Sequence, residues 1–535
     1  MNSEKQSAHL ILQGAILLTI AGLLTKILSA AYRIPYQNIV GDIGFYIYQQ
    51  IYPFYGMAVM FATTGFPVII SKLLTDYNVE KNDSIRSKVL TVTMLFLVVV
   101  GIMMFIILFL GAEIIAKIMG DPPLKILIQV ISFSFLLVPF ISFFRGYFQG
   151  NQQMYPTAIS QVAEQGIRVG SILVISYILI QNGYTLYEAG AGALFGSLTG
   201  GLTALALLAF FWFKTNQHVT FKWSLTANVQ STDIIMTLLK YSFTIGFSSL
   251  LLILIQLIDS LHLYSLLVSN GVNETVAKES KGVYDRGQPL IQLGTVVATS
   301  FALSLVPIIA KAKKENNEEF IHKKVNLSLK ICIVFGVAAT VGLIAIIKPT
   351  NVMLFMDQSG NLVLSILSLS ILFTSLSLTL TAILQGLGHT VYPALAVTVG
   401  LLVKFVLNLM LIPFMETVGA AISTVLAYFS VVVVLIIIIR KKKYRLRNSK
   451  SIKKIAIAVF VMLTYLVLST TFLEFFLNSN DRGQAAFIAL SGVTIGGICY
   501  LFLIVALGVF TNEELVDLPF GSKLLLFLTK LKWGK

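Results

Sequence analysis

Long apolar runs separated by short polar turns dominate this chain. A run of roughly 20 mostly apolar residues can cross a bilayer as a helix, because the helix satisfies its own backbone hydrogen bonds in lipid. Such runs lie near 11–32, 46–70, 88–112, 126–148, 156–180, 189–213, 236–262, 285–310, 325–347, 362–386, 391–412, 418–440, 454–477 and 486–510. The pattern predicts an all-α polytopic membrane protein with about fourteen transmembrane helices. The seventh run carries Asp259 and His262, and the eighth opens on the polar Tyr284-Asp285-Arg286-Gly287-Gln288-Pro289. Residues 263–284 between them read as the largest outer loop, short and mixed in charge. The first ten residues are polar, and the run from Ile11 lacks a small-x-small cleavage site, so it reads as a span and not a removable leader.

Charge in the turns sets the orientation. One set of loops holds Lys72, Lys81, Arg86 and Lys88, then Lys311, Lys313, Lys314, Lys323 and Lys324, and then the dense basic stretch 440–454. The C-terminal tail adds Lys523, Lys530, Lys532 and Lys535. Loops of the other set pair each cation with an acid, as Arg33 with Asp42 and Lys117 with Asp121. Positive charge is retained on the cytoplasmic side, so both termini are expected there, which requires an even number of spans.

The chain also repeats itself. Phe148-Gln149-Gly150 with Tyr155-Pro156 returns as Leu384-Gln385-Gly386 with Tyr392-Pro393, and Phe66-Pro67-Val68-Ile69-Ile70 returns as Val306-Pro307-Ile308-Ile309. The two matches share nearly one offset and fall at corresponding cytoplasmic helix ends. A six-helix unit repeated in parallel orientation follows, with a cavity expected between the copies. The expected organisation is an N-terminal lobe at 1–235, a C-terminal lobe at 236–440, a basic linker at 441–452, and two additional helices with a tail at 453–535. Pro67, Pro307, Gly150 and Gly386 are candidate hinge or turn residues, with static packing as the alternative.

Composition agrees with a membrane protein. Only 12% of the 535 residues are charged and 56% are apolar, where soluble domains carry about 25% charge. The net charge of +15 fits cationic loops facing anionic lipid, and nucleic acid is not an expected partner. Cys332 and Cys499 lie in apolar runs and suit neither a disulfide framework nor a metal site. No phosphate-binding loop, dinucleotide glycine fingerprint or His-Glu-x-x-His occurs, so an enzyme is not expected and neither is a cofactor.

Ionisable groups inside spans are costly and mark function or pairing. They are Lys26, Arg33, Glu164, Arg168, Asp259 and Lys404, with Gln288 among the neutral polar groups. Glu164 and Arg168 are four apart on one helical face, so they are read either as a structural pair or with Arg168 lining the cavity. Asp259 has no partner on its own helix, which leaves pairing across helices or a coupling or gating role. Lys404 is read as paired to a neighbouring helix or as cavity-lining. Arg33 either snorkels to the outer headgroups or faces the cavity. Lys26 lies seven residues before it, on nearly the same face.

These residues resemble a known family. Gly22-Leu23, Lys26-Ile27-Leu28, Tyr32-Arg33-Ile34-Pro35, Gly41-Asp42, Tyr52-Pro53, Thr64-Gly65-Phe66-Pro67, Arg145-Gly146-Tyr147-Phe148-Gln149-Gly150, Glu164-Gln165, Arg168-Val169, Asp259-Ser260 and Tyr284–Pro289 are similar to the polysaccharide-biosynthesis exporters. Within them the chain resembles the branch of stage V sporulation protein B and the MurJ-like lipid II flippases, part of the multidrug/oligosaccharidyl-lipid/polysaccharide exporter superfamily. The resemblance implies two six-helix lobes plus two C-terminal helices in a bacterial plasma membrane. It implies a flippase that carries an undecaprenyl-pyrophosphate-linked precursor, lipid II or a related glycolipid, to the outer leaflet. Partners would be that glycan, membrane lipids and cell-wall synthesis proteins. Arg33 matches a cavity arginine of the family, and Lys26, Arg168, Lys404 and Gln288 are its expected companions for the pyrophosphate and sugar. Asp259 and Glu164 are the expected coupling or gating groups, with Na⁺ or H⁺ as the coupling ion. Helix two departs from the pattern, with no basic residue between Tyr46 and Ile70. An ion-coupled drug or cation antiporter of the same fold, a non-transporting envelope-synthesis scaffold and a membrane transferase are the competing readings. An anionic pyrophosphate calls for Arg and Lys, a cationic drug for acidic groups.

Overall fold

A computed structural model describes residues 2–77, 83–215, 230–442 and 449–516. Of the basic residues used for orientation, Lys81, Lys443, Arg445, Arg447, Lys523, Lys530, Lys532 and Lys535 lie outside these described residues. Every regular element among the described residues is helical. Twelve helical stretches there are long and apolar enough to cross a membrane. Two of them are far longer than one crossing: Leu17–Asp76 has 60 residues and Val391–Lys441 has 51. At 1.5 Å per residue, 51 residues span about 77 Å, against a hydrocarbon core of about 30 Å. Both are interrupted. Gly41 has φ 69° and ψ −176°, a conformation that needs glycine. Glu416 has φ 48°, and beside it a Cβ on Gly419 would lie 2.5 Å from the Leu411 carbonyl oxygen, so the turn is too tight for a side chain.

The chain differs from the sequence expectation around 231–294. The seventh run is assembled from Ser231–Tyr241, a π turn at Ser242–Gly246, Phe247–Ser249 and Leu251–Ser269. The outer loop expected at 263–284 is mostly helix. Leu251–Ser269 ends at a Gly271 with φ 90°, and Glu274–Asp285 begins immediately, capped by the Asn273 side chain accepting from Thr275 N at 2.9 Å. Its charges are not all solvated. Lys281 and Asp285 form a buried pair at 2.6 Å, four residues apart on one face. Polar sequence therefore marked a buried ion pair, not a loop.

The described chain falls into two compact units. The first comprises Met1–Val296 with Gly388–Leu435. Its tightest helix pair is Met154–Gln181 against Leu186–Lys214, the latter opened by a Thr185–Glu188 capping box. A Cβ on Gly200 would lie 2.7 Å from the Glu164 carbonyl oxygen and 2.8 Å from Arg168 Cβ. The bare backbone at Gly200 thus lets the helix bearing Glu164 and Arg168 approach, as expected for small residues between membrane helices.

The second unit comprises Val297–Leu387 with Ile436–Lys535. Glu318–Ala345 packs on Asn361–Gly386, and the pair Ser449–Phe476 and Arg482–Ala506 closes an apolar core that includes Ile331, Val334, Ile455, Met462, Leu466 and Ile504. Tyr500 donates to the Val334 carbonyl at 2.8 Å within that core.

The first unit holds one copy of the repeated turn whole, the second unit holds the other copy only up to Leu387, and the glycines that open the two copies pack alike. In the first, Cβ atoms on Gly146 and Gly150 would lie 2.5 Å from Ile70 Cβ and Leu74 Cδ1. In the second, a Cβ on Gly386 would lie 2.9 Å from Ile309 Cβ and 3.0 Å from the Val306 carbonyl oxygen. The turn glycines are thus close-packing points against the helix that carries Pro67 or Pro307.

Candidate functional site

The π turn at Phe61–Gly65 follows from Pro67. Phe66 N–H bonds to Phe61 O, the i→i+5 pattern, so Ala62 O would next pair with residue 67. Proline has no N–H to give. The Arg145 guanidinium fills the gap, donating to Ala62 O at 3.2 Å, to Ser160 Oγ at 3.1 Å and to Glu164 Oε2 at 2.7 Å. Glu164 therefore pairs with Arg145 of the neighbouring helix Ser134–Gly150 and not with Arg168 on its own.

Arg168 turns to a group of tyrosines instead. Its Nη2 donates to Tyr32 Oη at 2.8 Å and Tyr48 Oη at 3.3 Å, and its Nη1 to Gln165 Oε1 at 3.1 Å. Its guanidinium carbon lies 4.3 Å from the Tyr55 ring centre and 5.9 Å from that of Tyr52. Arg33 lies 4.0 Å from the Tyr52 centre. The turn at Gly41 makes this possible, since Tyr32 and Tyr36 before it meet Tyr48 after it, at 2.7 Å between the Tyr32 and Tyr48 hydroxyls and 4.8 Å between the Tyr36 and Tyr48 rings. Arg33 is fully buried, and none of its three side-chain nitrogens has a hydrogen-bond partner among the described residues.

Seven Lys and Arg side chains are buried among the described residues: Arg33, Arg145, Arg168, Lys281, Arg286, Lys330 and Lys404. Five of them pair with a carboxylate, respectively Arg145 with Glu164, Lys281 with Asp285, Arg286 with Asp42, Lys330 with Glu514 and Lys404 with Asp259. Arg33 and Arg168 do not. A buried guanidinium without a counterion is costly, and these two share one aromatic cluster. The arrangement can hold an anion, because the Arg33 fork has paired donors left for phosphate-type oxygens, while Arg168, whose donors are engaged by Ser197, Gln165, Tyr32 and Tyr48, adds positive charge beside it.

The remaining predicted residues lie elsewhere. Lys26 is exposed, and no contact joins it to the two arginines among the described residues. Gln288 accepts a hydrogen bond from Gln256 Nε2 at 2.7 Å. Lys404 and Asp259 are 2.5 Å apart, so the pairing across helices is realised and each is the other's partner. Arg286 grips Asp42 with two bonds, Nε to Oδ1 at 3.0 Å and Nη2 to Oδ2 at 2.5 Å. A Cβ on Gly282 would lie 2.2 Å from the Asp42 carbonyl oxygen, so that glycine is required for the clasp.

Residues 11–313 match the family described as polysaccharide biosynthesis protein. A Bacillus subtilis relative, the uncharacterized membrane protein YabM, is 47% identical over 529 residues, covering 98% of this chain and 97% of its own. The chain belongs to the polysaccharide biosynthesis protein family. As a member with twelve helical stretches long and apolar enough to cross a membrane among the described residues, it is a multi-pass membrane protein. Another relative in the same organism, lipid II flippase MurJ, is 27% identical over 517 residues, covering 92% of this chain and 94% of its own. Among solved structures, one of lipid II flippase MurJ in an inward closed conformation superposes with a TM-score of 0.67 at 16% identity, covering 92% of this chain and 99% of that one. That likeness establishes the fold.

Sequence reading missed the tyrosines of this family member. Tyr48, Tyr52 and Tyr55 recur at i, i+4 and i+7, the spacing of one helical face, and that signal was available. Arg145 was read only as part of a motif, because its partner Glu164 lies on a different helix.

Proposed function

We propose that this protein is a flippase that moves an undecaprenyl-pyrophosphate-linked cell-envelope precursor, lipid II or a related glycolipid, from the inner to the outer leaflet by alternating access. The supporting observation is the pair of buried arginines, Arg33 and Arg168, that share a tyrosine cluster and form no salt bridge to a carboxylate among the described residues. A pyrophosphate supplies the missing negative charge, and the tyrosine rings offer faces to a sugar. The 27% identity to a protein named as a lipid II flippase points the same way. A cation-carrying antiporter of this superfamily would need a free buried carboxylate. Asp42, Glu164, Asp259 and Asp285 are each held by a cation of the chain itself.

The proposal carries the rest of the architecture expected from sequence. Counting the interrupted stretches at Gly41 and Glu416 as two crossings each gives fourteen, with both termini cytoplasmic in a bacterial plasma membrane. The lobes are 1–235 and 236–440, and the helices beyond 453 are additional. Lys26 is a peripheral cation on the substrate's route, and an ion gradient or the membrane potential supplies the energy. The test is reconstitution into liposomes with fluorescent lipid II and, separately, an unrelated undecaprenyl-linked glycan. Faster crossing of either than in empty vesicles supports the reading. Export of a cationic dye with neither lipid crossing overturns it.

A further inference from the structure

The helix Val391–Lys441 folds on itself at Glu416, and the polar residues of its two arms face one another. Lys404 and Asn408 come from the first arm, and Ala420, Ser423 and Thr424 from the second. The Lys404 ammonium lies within reach of four oxygens: Asp259 Oδ1 at 2.5 Å, Thr424 Oγ1 at 2.6 Å, Ser423 Oγ at 3.0 Å and the Ala420 carbonyl at 3.1 Å. An ammonium has three protons, so four oxygens enclose it as they would a point charge. One carboxylate, one carbonyl and two hydroxyls form the all-oxygen donor set that hard metal cations take.

The cradle is held from outside. Asn408 Nδ2 donates to Asp259 Oδ1 at 3.1 Å, and Tyr284 Oη donates to Asp259 Oδ2 at 2.7 Å. Ser423 also bonds to Asn408 Oδ1, and Tyr284 meets Thr424 Oγ1 at 2.8 Å. Asp259, Tyr284, Lys404, Asn408, Ser423 and Thr424 are all buried to 1% exposure or less. A single carboxylate touches the ammonium, and the neighbouring Asp285 is held by Lys281, so neither carboxylate is left over for a second cation.

We propose that this cluster is a monovalent-cation site whose occupant is the chain's own Lys404 ammonium. The protein then needs no exchangeable Na⁺ or K⁺ at Asp259, and removing the ammonium creates a site that takes one. Asp259, expected from sequence as a coupling group, is on this account a filled ligand. The inference rests on the cradle and is independent of the substrate proposed above.

The experiment compares the purified full chain in NaCl, KCl and choline chloride at one ionic strength, by thermal melting and by binding of radiolabelled sodium. Wild type is expected to melt at one temperature in all three and to bind no sodium at this site. Lys404→Ala leaves Asp259 uncompensated. It is expected to melt lower in choline, to regain about 5 °C in NaCl or KCl, and to bind about one sodium ion per chain. Lys404→Ala with Asp259→Asn lacks the anion and is expected to lose both responses. Wild type stabilised by Na⁺ over choline overturns the proposal, and needs no variant. So does a folded Lys404→Ala protein that is indifferent to the cation and binds no sodium. Neither readout uses transport, so failure here and failure of the flippase reading are separable.

Discussion

The Arg33 guanidinium stacks 4.0 Å from the centre of the Tyr52 ring, with every nitrogen of its side chain buried and lacking a hydrogen-bond partner among the described residues. Arg168 approaches the same ring at 5.9 Å. Cation–π contact stabilises a desolvated guanidinium by about 2 kcal/mol, less than the several kcal/mol that burying an ion costs. The deficit is what an arriving anion would relieve.

Arg33→Lys keeps the charge and loses the planar fork, so it is expected to lower the initial flipping rate about tenfold, and Arg33→Ala about a hundredfold. Arg168 should follow the same order. Lys26→Ala should cost no more than about threefold, because that lysine is exposed and apart from the cluster. The check is initial rate in proteoliposomes at matched protein level. A silent Arg33→Lys would remove Arg33 from the substrate site and leave it a structural cation of the tyrosine cluster.

Glu164 has a different expected signature. Glu164→Gln strands the Arg145 charge beside the π turn and should cost about 3–5 kcal/mol of stability. Thermal melting of the purified variant reads this directly, and Arg145→Met with Glu164→Leu should recover most of the loss. A wild-type melting temperature in Glu164→Gln would contradict the pairing.

Gly282→Ala puts a methyl 2.2 Å from the Asp42 carbonyl oxygen. It should destabilise the protein by about 1–3 kcal/mol as the helix Glu274–Asp285 is forced away. Arg286→Ala should weaken the same junction by leaving Asp42 without its bidentate partner. Combining the two should cost less than the sum, because both act on one contact. Additivity in melting experiments would place the two effects apart.

Single cysteines in a cysteine-free background check the topology. Positions in 440–454 and 311–324 should resist an impermeant outside reagent, and positions near Asn273 should react. Labelling of the basic linker from outside would reverse the orientation.

The helices were legible because lipid demands long apolar runs, and the length of a run needs no partner to be recognised. Pairing was not. Glu164 and Arg168 satisfy the four-residue rule on one helix, yet Pro67 opens a carbonyl at Ala62 that draws Arg145 into place, and Arg145 takes the carboxylate. Likewise Lys278, Glu279 and Lys281 gave 263–284 the look of a loop, where Lys281 is in fact buried against Asp285. The clasp between Asp42 and Arg286 joins positions 244 residues apart, a relation that no local spacing encodes. Arg33 was found through its motif, and its tyrosine surroundings emerge only when Gly41 turns the chain.

The most direct test of the central claim is the flipping of fluorescent lipid II by wild type and by the Arg33→Ala, Arg168→Ala double variant, reconstituted at equal density and matched for folded protein. The account predicts that wild type moves the lipid well above empty vesicles and that the double variant falls to their level, with affinity for a soluble pyrophosphate-sugar lost in parallel. Equal flipping and equal affinity in both proteins would contradict it, and would remove the two arginines from the substrate site.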